Sequence, residues 1–222
     1  MDLITKTGIM ATTIVGAEGK VFEIIRDCSD GNCSDDEIAI LITLYPTTDD
    51  VGQLDLSTLH ILNHMKELGI KKIVFLYLFS KVCSARLSSR GLVVDDDNLA
   101  MVEQVLDEYS KVRVIVGWGT SMSRSVAAIS SKKRILSILT KREDKRIWQL
   151  SSDGVDSSEN CHPLFLGIRQ GKNCKWRLQP YDIPDELKLT EEGENLTDTT
   201  ETSSIVSVKK IGKSKQAEKR KK

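Results

Sequence analysis

The sequence lacks any apolar run approaching the ~20 residues that a membrane-spanning helix needs, which argues against an integral helical membrane protein and for a soluble one. It also lacks net charge. Lys plus Arg and Asp plus Glu are both 32, so there is no general basic excess of the kind nucleic-acid binders often carry. No N-terminal stretch combines a basic start, an apolar centre and a small-residue cleavage site, and the five cysteines are odd in number. Together these predict a reduced, cytoplasmic protein without a disulfide framework, and none of the five is expected to serve a metal or cofactor. No internal repeat is present, and neither GxGxxG, a P-loop nor GxSxG occurs.

What is present is a rhythm of apolar runs that end abruptly in polar turns. The run Ile38-Ala39-Ile40-Leu41-Ile42 is unbroken and rich in β-branched residues, then gives way at Tyr45-Pro46-Thr47-Thr48-Asp49-Asp50. That is the pattern of a buried parallel strand emptying into a loop, and in open α/β sheets ligands bind beyond such carboxyl ends. Leu59, Leu62, Met65 and Leu68 then recur at helical spacing between a cap at Asp55 or Ser57 and Gly69. Ile73 to Phe79 predicts a second strand, followed by a loop from Ser80 to Gly91. Asp95-Asp96-Asp97 suits the N-terminus of a helix carrying Leu99, Val102, Val105 and Leu106. Val112 to Val116 predicts a third strand, a helix is expected from near Thr120, and Arg146 to Leu150 reads as the fourth strand. Ahead of all this, Ile9 to Val15 and Lys20 to Arg26 flank Gly16-Ala17-Glu18-Gly19, which is hairpin chemistry. The expected fold class is therefore α/β, a single domain over residues 1–186 with a mainly parallel four-stranded sheet and an N-terminal β-hairpin.

From Leu187 the composition turns to Glu, Thr, Ser and Lys without aromatic residues, which predicts a disordered tail over residues 187–222. This tail carries nine Lys or Arg against six Asp or Glu, with the positive charge gathered at Lys209 to Lys222. A flexible basic end can contact phosphates without reading bases, or can simply solubilise the chain. The remainder of the chain is mildly acidic.

Several residue groups admit a chemical and a plain reading. His60 and His64 stand four apart downstream of Cys28 and Cys33, but the spacing is not that of a zinc finger and ordinary helix-surface histidines fit as well. Gly117-Trp118-Gly119-Thr120-Ser121 lies between a strand and a helix, where glycines either admit a phosphate or merely turn the chain. Cys161 and His162 are adjacent, so on an extended backbone they face apart and make a poor nucleophile pair. His162 alone, in a loop beyond the fourth strand, can donate to a ligand or shuttle a proton. Asp49 and Asp50 can activate a water as general base, or cap a turn.

In order, Tyr45-Pro46-Thr47-Thr48, Asp55-x-x-Thr58, Tyr77-Leu78-Phe79, Asp97-Asn98, Trp118-Gly119 and His162-Pro163-Leu164-Phe165-Leu166 resemble the bacterial domain-of-unknown-function family numbered 1643, over roughly residues 23–166. That family has Asn where this chain has Tyr45, and Ser where it has Thr47. More distantly, the chain is similar to uracil-DNA glycosylases, which also place a Pro-containing loop after the first strand and a His-Pro motif after the last. That likeness implies a three-layer α/β/α fold, parallel strand order 2-1-3-4 and a pocket between the Tyr45 and His162 loops. On this reading Asp49 or Asp50 would orient water and His162 would stabilise a departing base. Tyr45, Pro46, Thr47, Thr48, Asp55, Asn98, Trp118, Gly119 and Pro163 would line the ligand site. The expected function is binding of a nucleotide or nucleic-acid base, with hydrolysis of an N-glycosidic bond as the enzymatic form. A non-enzymatic binding or interaction module that keeps the fold is the alternative.

Overall fold

The computed structural model describes residues 8–84, 88–89, 92–109, 111–142, 146–153, 162–169 and 174–188. By contacts the chain forms two units, Met1–Leu189 and Thr190–Lys222, and the second lies outside the described residues, as do Cys161 and the basic run from Lys209.

The centre is a mixed sheet of seven strands rather than four. The strands are β1 (Met10–Val15), β2 (Val21–Asp27), β3 (Ile38–Thr43), β4 (Lys72–Tyr77), β5 (Arg113–Val116), β6 (Arg146–Ser152) and β7 (Trp176–Pro180), in the order β1-β2-β4-β3-β5-β6-β7. Four adjacent strands, β4-β3-β5-β6, run parallel. The hairpin β1-β2 joins antiparallel to β4, and β7 adds antiparallel to β6. β7 lacks a sequence signal because Trp176-Arg177-Leu178-Gln179-Pro180 is short and carries only three apolar residues. It forms because β6 supplies the partner edge.

Every residue of β3 is buried, as a strand flanked on both sides and covered on both faces must be. On one face Ile40, Ile42, Val74, Leu76, Val114 and Val116 pack against α2 (Asp96–Glu108) and α3 (Val126–Thr140). On the other, Leu41, Ile73, Phe75 and Ile115 pack against α1 (Leu56–His64) and α4 (Pro163–Arg169). The period-2 alternation of strand side chains divides one apolar run between two cores.

The helices differ from their sequence signals in informative ways. The segment after α1 ends in a Schellman motif: Ile70 N–H donates to the Met65 carbonyl at 2.8 Å and Gly69 N–H to Lys66 at 3.3 Å, with Gly69 at φ +64°. α3 begins at Val126, not near Thr120, since Gly119 (φ +62°) and Met122 (φ +59°) are left-handed and the side chain of Ser125 caps Ala128 N–H instead. His162 is the last residue before α4, and its carbonyl accepts from Phe165 N–H at 2.9 Å. Leu187, assigned to the charged tail by composition, is buried beside Tyr181 in the core on the α3 side. No helix among the described residues is long and apolar enough to cross a membrane.

Candidate functional site

The strands are added to one side of β3 by β4 and then to its other side by β5 and β6, so the order of winding reverses at β3. The loop after β3 leads to α1 on one face, while the loop after its neighbour β5 leads to α3 on the other. Two adjacent loops that part in this way leave a crevice at the strand carboxyl ends, the common place for a ligand in such sheets. A cleft of about 250 Å³ lies there, lined among others by Thr43, Tyr45, Thr47, Asp55, Thr58, Tyr77, Ser121 and His162.

Asp55 is fixed from two sides. Its Oδ1 accepts Thr58 N–H at 2.6 Å as the N-cap of α1, and its Oδ2 accepts the Thr47 hydroxyl at 2.7 Å. Each oxygen retains a lone pair. The loop between β3 and α1 is held from outside by Arg26, a buried guanidinium on β2 that donates to the Val51 carbonyl at 2.7 Å and to Gln53 at 3.3 Å.

Nδ1 of His162 accepts Leu164 N–H at 3.2 Å, so the neutral ring carries its hydrogen on Nε2. Burial lowers the imidazole pKa, and the nearby Asp55 charge pulls it only partly back. His162 is thus a neutral donor at pH 7. Burial drives the Tyr77 phenol pKa well up, Asp55 adds to the rise and Arg26 opposes it. Tyr77 stays a protonated hydroxyl. The cleft therefore sets a carboxylate among neutral donors in a partly dry setting, an arrangement that can bind a small polar heterocycle or handle a proton.

Of the residues singled out in the sequence, Tyr45, Thr47, Asp55, His162 and Pro163 come together here. Asp49 and Asp50 do not. Both are exposed; Oδ1 of Asp50 takes Gly52 N–H at 2.8 Å, and the Thr48 hydroxyl bonds Gln53 at 2.7 Å and receives Asp50 N–H at 3.0 Å. Asp50 and Thr48 shape the turn, and the carboxylate lining the cleft is that of Asp55. Pro46 is buried with its carbonyl bonded to Cys83 N–H at 2.9 Å. Asn98 lies fully buried in α2 and donates to the Tyr77 carbonyl at 2.6 Å, which ties α2 to the end of β4 rather than facing the cleft. Trp118 is core, 1% exposed and edge-on to Tyr181 at 6.3 Å. Gly119 turns the chain. Gly117 packs closely on β3, since a Cβ there would meet Leu41 Cδ1 at 2.6 Å and that side chain would have to shift.

His60 and His64 serve the join of α1 to its neighbours. The His64 ring stacks on Trp176 at 4.0 Å, and its Nδ1 donates to the His60 carbonyl at 2.7 Å. Tyr77 and Arg26 were missed as site residues, although an arginine within an apolar strand was a visible signal. Thr43 carried no signal, whereas Ser121 ends the Gly117–Ser121 stretch that the sequence had marked between a strand and a helix.

No curated protein matches the chain. A crystal structure described as "Putative hydrolase from Agrobacterium vitis S4" is similar with 15% identity and a TM-score of 0.36, covering 64% of this chain and 50% of that one. The chain thus spans about half the length of that protein. Residues 30–164, which include the β3 and β4 loops and reach His162, match the family described as "Protein of unknown function (DUF1643)", and the chain belongs to that family.

Proposed function

We propose that the cleft binds a nucleobase, presented by a nucleotide or a nucleic acid, and that in its enzymatic form it hydrolyses the N-glycosidic bond. The observation that carries the reading is that Asp55 and His162, 107 positions apart by their numbers, line one cleft closely enough for the Asp55 charge to act on the imidazole. At about 250 Å³ the cleft falls just under the ~300–1,000 Å³ usual for drug-sized ligands, so it suits a base better than a longer segment. The distant likeness to uracil-DNA glycosylases supports the same class, as an analogy of fold.

In this mechanism the bond between base nitrogen and sugar carbon breaks with its electron pair leaving on the base. The Nε2–H of His162 meets the anion that develops there. A water placed against Asp55 adds its oxygen to the sugar carbon and gives its proton to that carboxylate; the departed base anion takes up a proton from solvent and Asp55 returns its own to solvent, so that the products are the sugar hydroxyl and the neutral base. The basic tail, residues 190–222, would add sequence-independent phosphate contacts if the natural ligand is a nucleic acid.

The structural duties of both groups favour a second reading, binding without chemistry. Asp55 already caps α1 and His162 already caps α4. Incubation with the common nucleosides, their monophosphates and uracil-containing single-stranded DNA, followed by chromatography for free base, separates the two. Base release abolished in Asp55→Asn supports hydrolysis. Ligand binding without release by either protein supports the binding module.

A further inference from the structure

A second cleft of about 480 Å³ adjoins the first and shares Leu44, Tyr45 and Ser121 with it. Its other lining residues are Ser88, Ser89, Met122, Arg124 and Ser125, so among the described residues it presents four serines and one guanidinium and no carboxylate. This contrasts with the first cleft, which holds Asp55.

We infer that the second cleft takes a phosphate, so that the ligand of this protein is a nucleoside 5′-monophosphate lying across Tyr45 rather than a free base or nucleoside. The inference rests on the nucleobase reading of the first cleft and extends it. Three observations beyond the shared wall support it. Arg124 offers the planar fork of donors that suits phosphate oxygens, and serine hydroxyls can turn their hydrogens to the same atoms. The first turn of the 15-residue helix α3, which opens beside Ser125, contains no acidic residue, whereas α2 starts on Asp95, Asp96 and Asp97. Lys132, only 4% exposed, reaches back under the loop to donate to the Ser121 carbonyl at 3.0 Å. That bond fixes the loop which both clefts share and places a cation behind it. A phosphate here meets the Arg124 guanidinium while its base faces Asp55 and His162.

The test is calorimetric titration at low salt of the four common ribonucleosides and their 5′-monophosphates into the full chain, repeated with Arg124→Glu. Arg124 is exposed, and an unchanged melting curve will show that the variant is folded. At least one monophosphate is expected to bind tenfold or more tightly than its nucleoside. The ratio should fall to about one in Arg124→Glu, with the nucleoside affinity itself unchanged. Equal affinity for nucleoside and monophosphate in the wild type, or a ratio that survives Arg124→Glu, overturns the phosphate site and leaves the base reading standing. Failure of every nucleoside and every monophosphate to bind overturns both.

Discussion

Thr47 and Asp55 close the loop beyond β3 on itself through a 2.7 Å hydrogen bond from hydroxyl to carboxylate. The same carboxylate starts α1 through Thr58 N–H. Site and scaffold therefore share one residue, and their contributions can be separated by chemistry.

Asp55→Ala removes a helix cap and should cost about 1 kcal/mol in denaturant unfolding, whereas Asp55→Asn keeps an acceptor for Thr58 N–H and should lie within a few tenths of the wild type. Both remove the charge. Base release, where present, should be lost in both variants despite their different stabilities. An Asp55→Asn protein as unstable as Asp55→Ala would show that the loop depends on the charge itself.

His162 gives a pH signature whose sign is fixed. Its imidazole titrates near 6.5 in the unfolded chain and lower in the folded one, because burial outweighs the attraction of Asp55. In the window below 6.5 the unfolded chain binds the extra proton, so stability is full above 6.5 and falls as pH drops through the folded value. Protonation also puts a hydrogen on Nδ1 and cancels the bond from Leu164. His162→Asn can still accept that bond but cannot titrate. Denaturant melts at steps from pH 7.5 to about 5 should show the wild type losing stability relative to this variant only below 6.5. The carboxylates of Glu37, Asp95 and Asp185 are held low and act at more acid pH, equally in both proteins. Parallel profiles for the two proteins would mean that His162 does not titrate differently on folding.

Gly167 lets α4 lie against α1, since a Cβ there would overlap the His60 ring. Gly167→Ala should destabilise by roughly 1–3 kcal/mol through overpacking, despite the better helix propensity of alanine. Adding His60→Ala should recover most of that loss. Additive effects in this double-mutant cycle would place the strain elsewhere.

The legible part of this fold was whatever burial on both faces writes into composition. Continuous apolar runs marked β3, β4 and β5, and abrupt polar ends marked the loops that form the cleft. What was illegible depended on partners. β7 pairs because β6 offers an edge, and Leu187 anchors in a core that its polar neighbours conceal. The site shows the same division. His162 could be singled out as a histidine beyond a strand, but Asp49, Asp50 and Asp55 carry the same side chain within seven positions. Only the turn made by Thr48 and Gln53 turns the first two outward while the start of α1 holds the third at the cleft. Trp118 looked functional because it follows a strand end, yet a large indole there fills the core between β5 and Tyr181.

Lys132 supplies an independent check on the loop behind the cleft. Burial lowers its amine from 10.5 to about 8, against the pull of Glu186. Between those values the unfolded chain holds a proton that the folded chain has released, so stability should rise with pH across the window. Lys132→Met should flatten that rise. Urea melts of both proteins at pH 7.5 and 10 measure it, and the raised values of Lys20, Lys71, Lys72 and Lys188 act alike in the two proteins. The same rise in both would mean that the Lys132 amine is solvated.

The central claim is that a nucleotide base sits between Asp55 and His162. The chain has only three histidines, so a ¹⁵N-histidine spectrum resolves each ring. Titration with the tightest-binding 5′-monophosphate should shift Nε2 of His162 strongly while His60 and His64, committed to Gly167 and Trp176, stay within baseline. In Asp55→Asn the same shift should require higher ligand concentrations. A bound nucleotide that leaves His162 unmoved, or that perturbs His60 and His64 instead, would contradict the account.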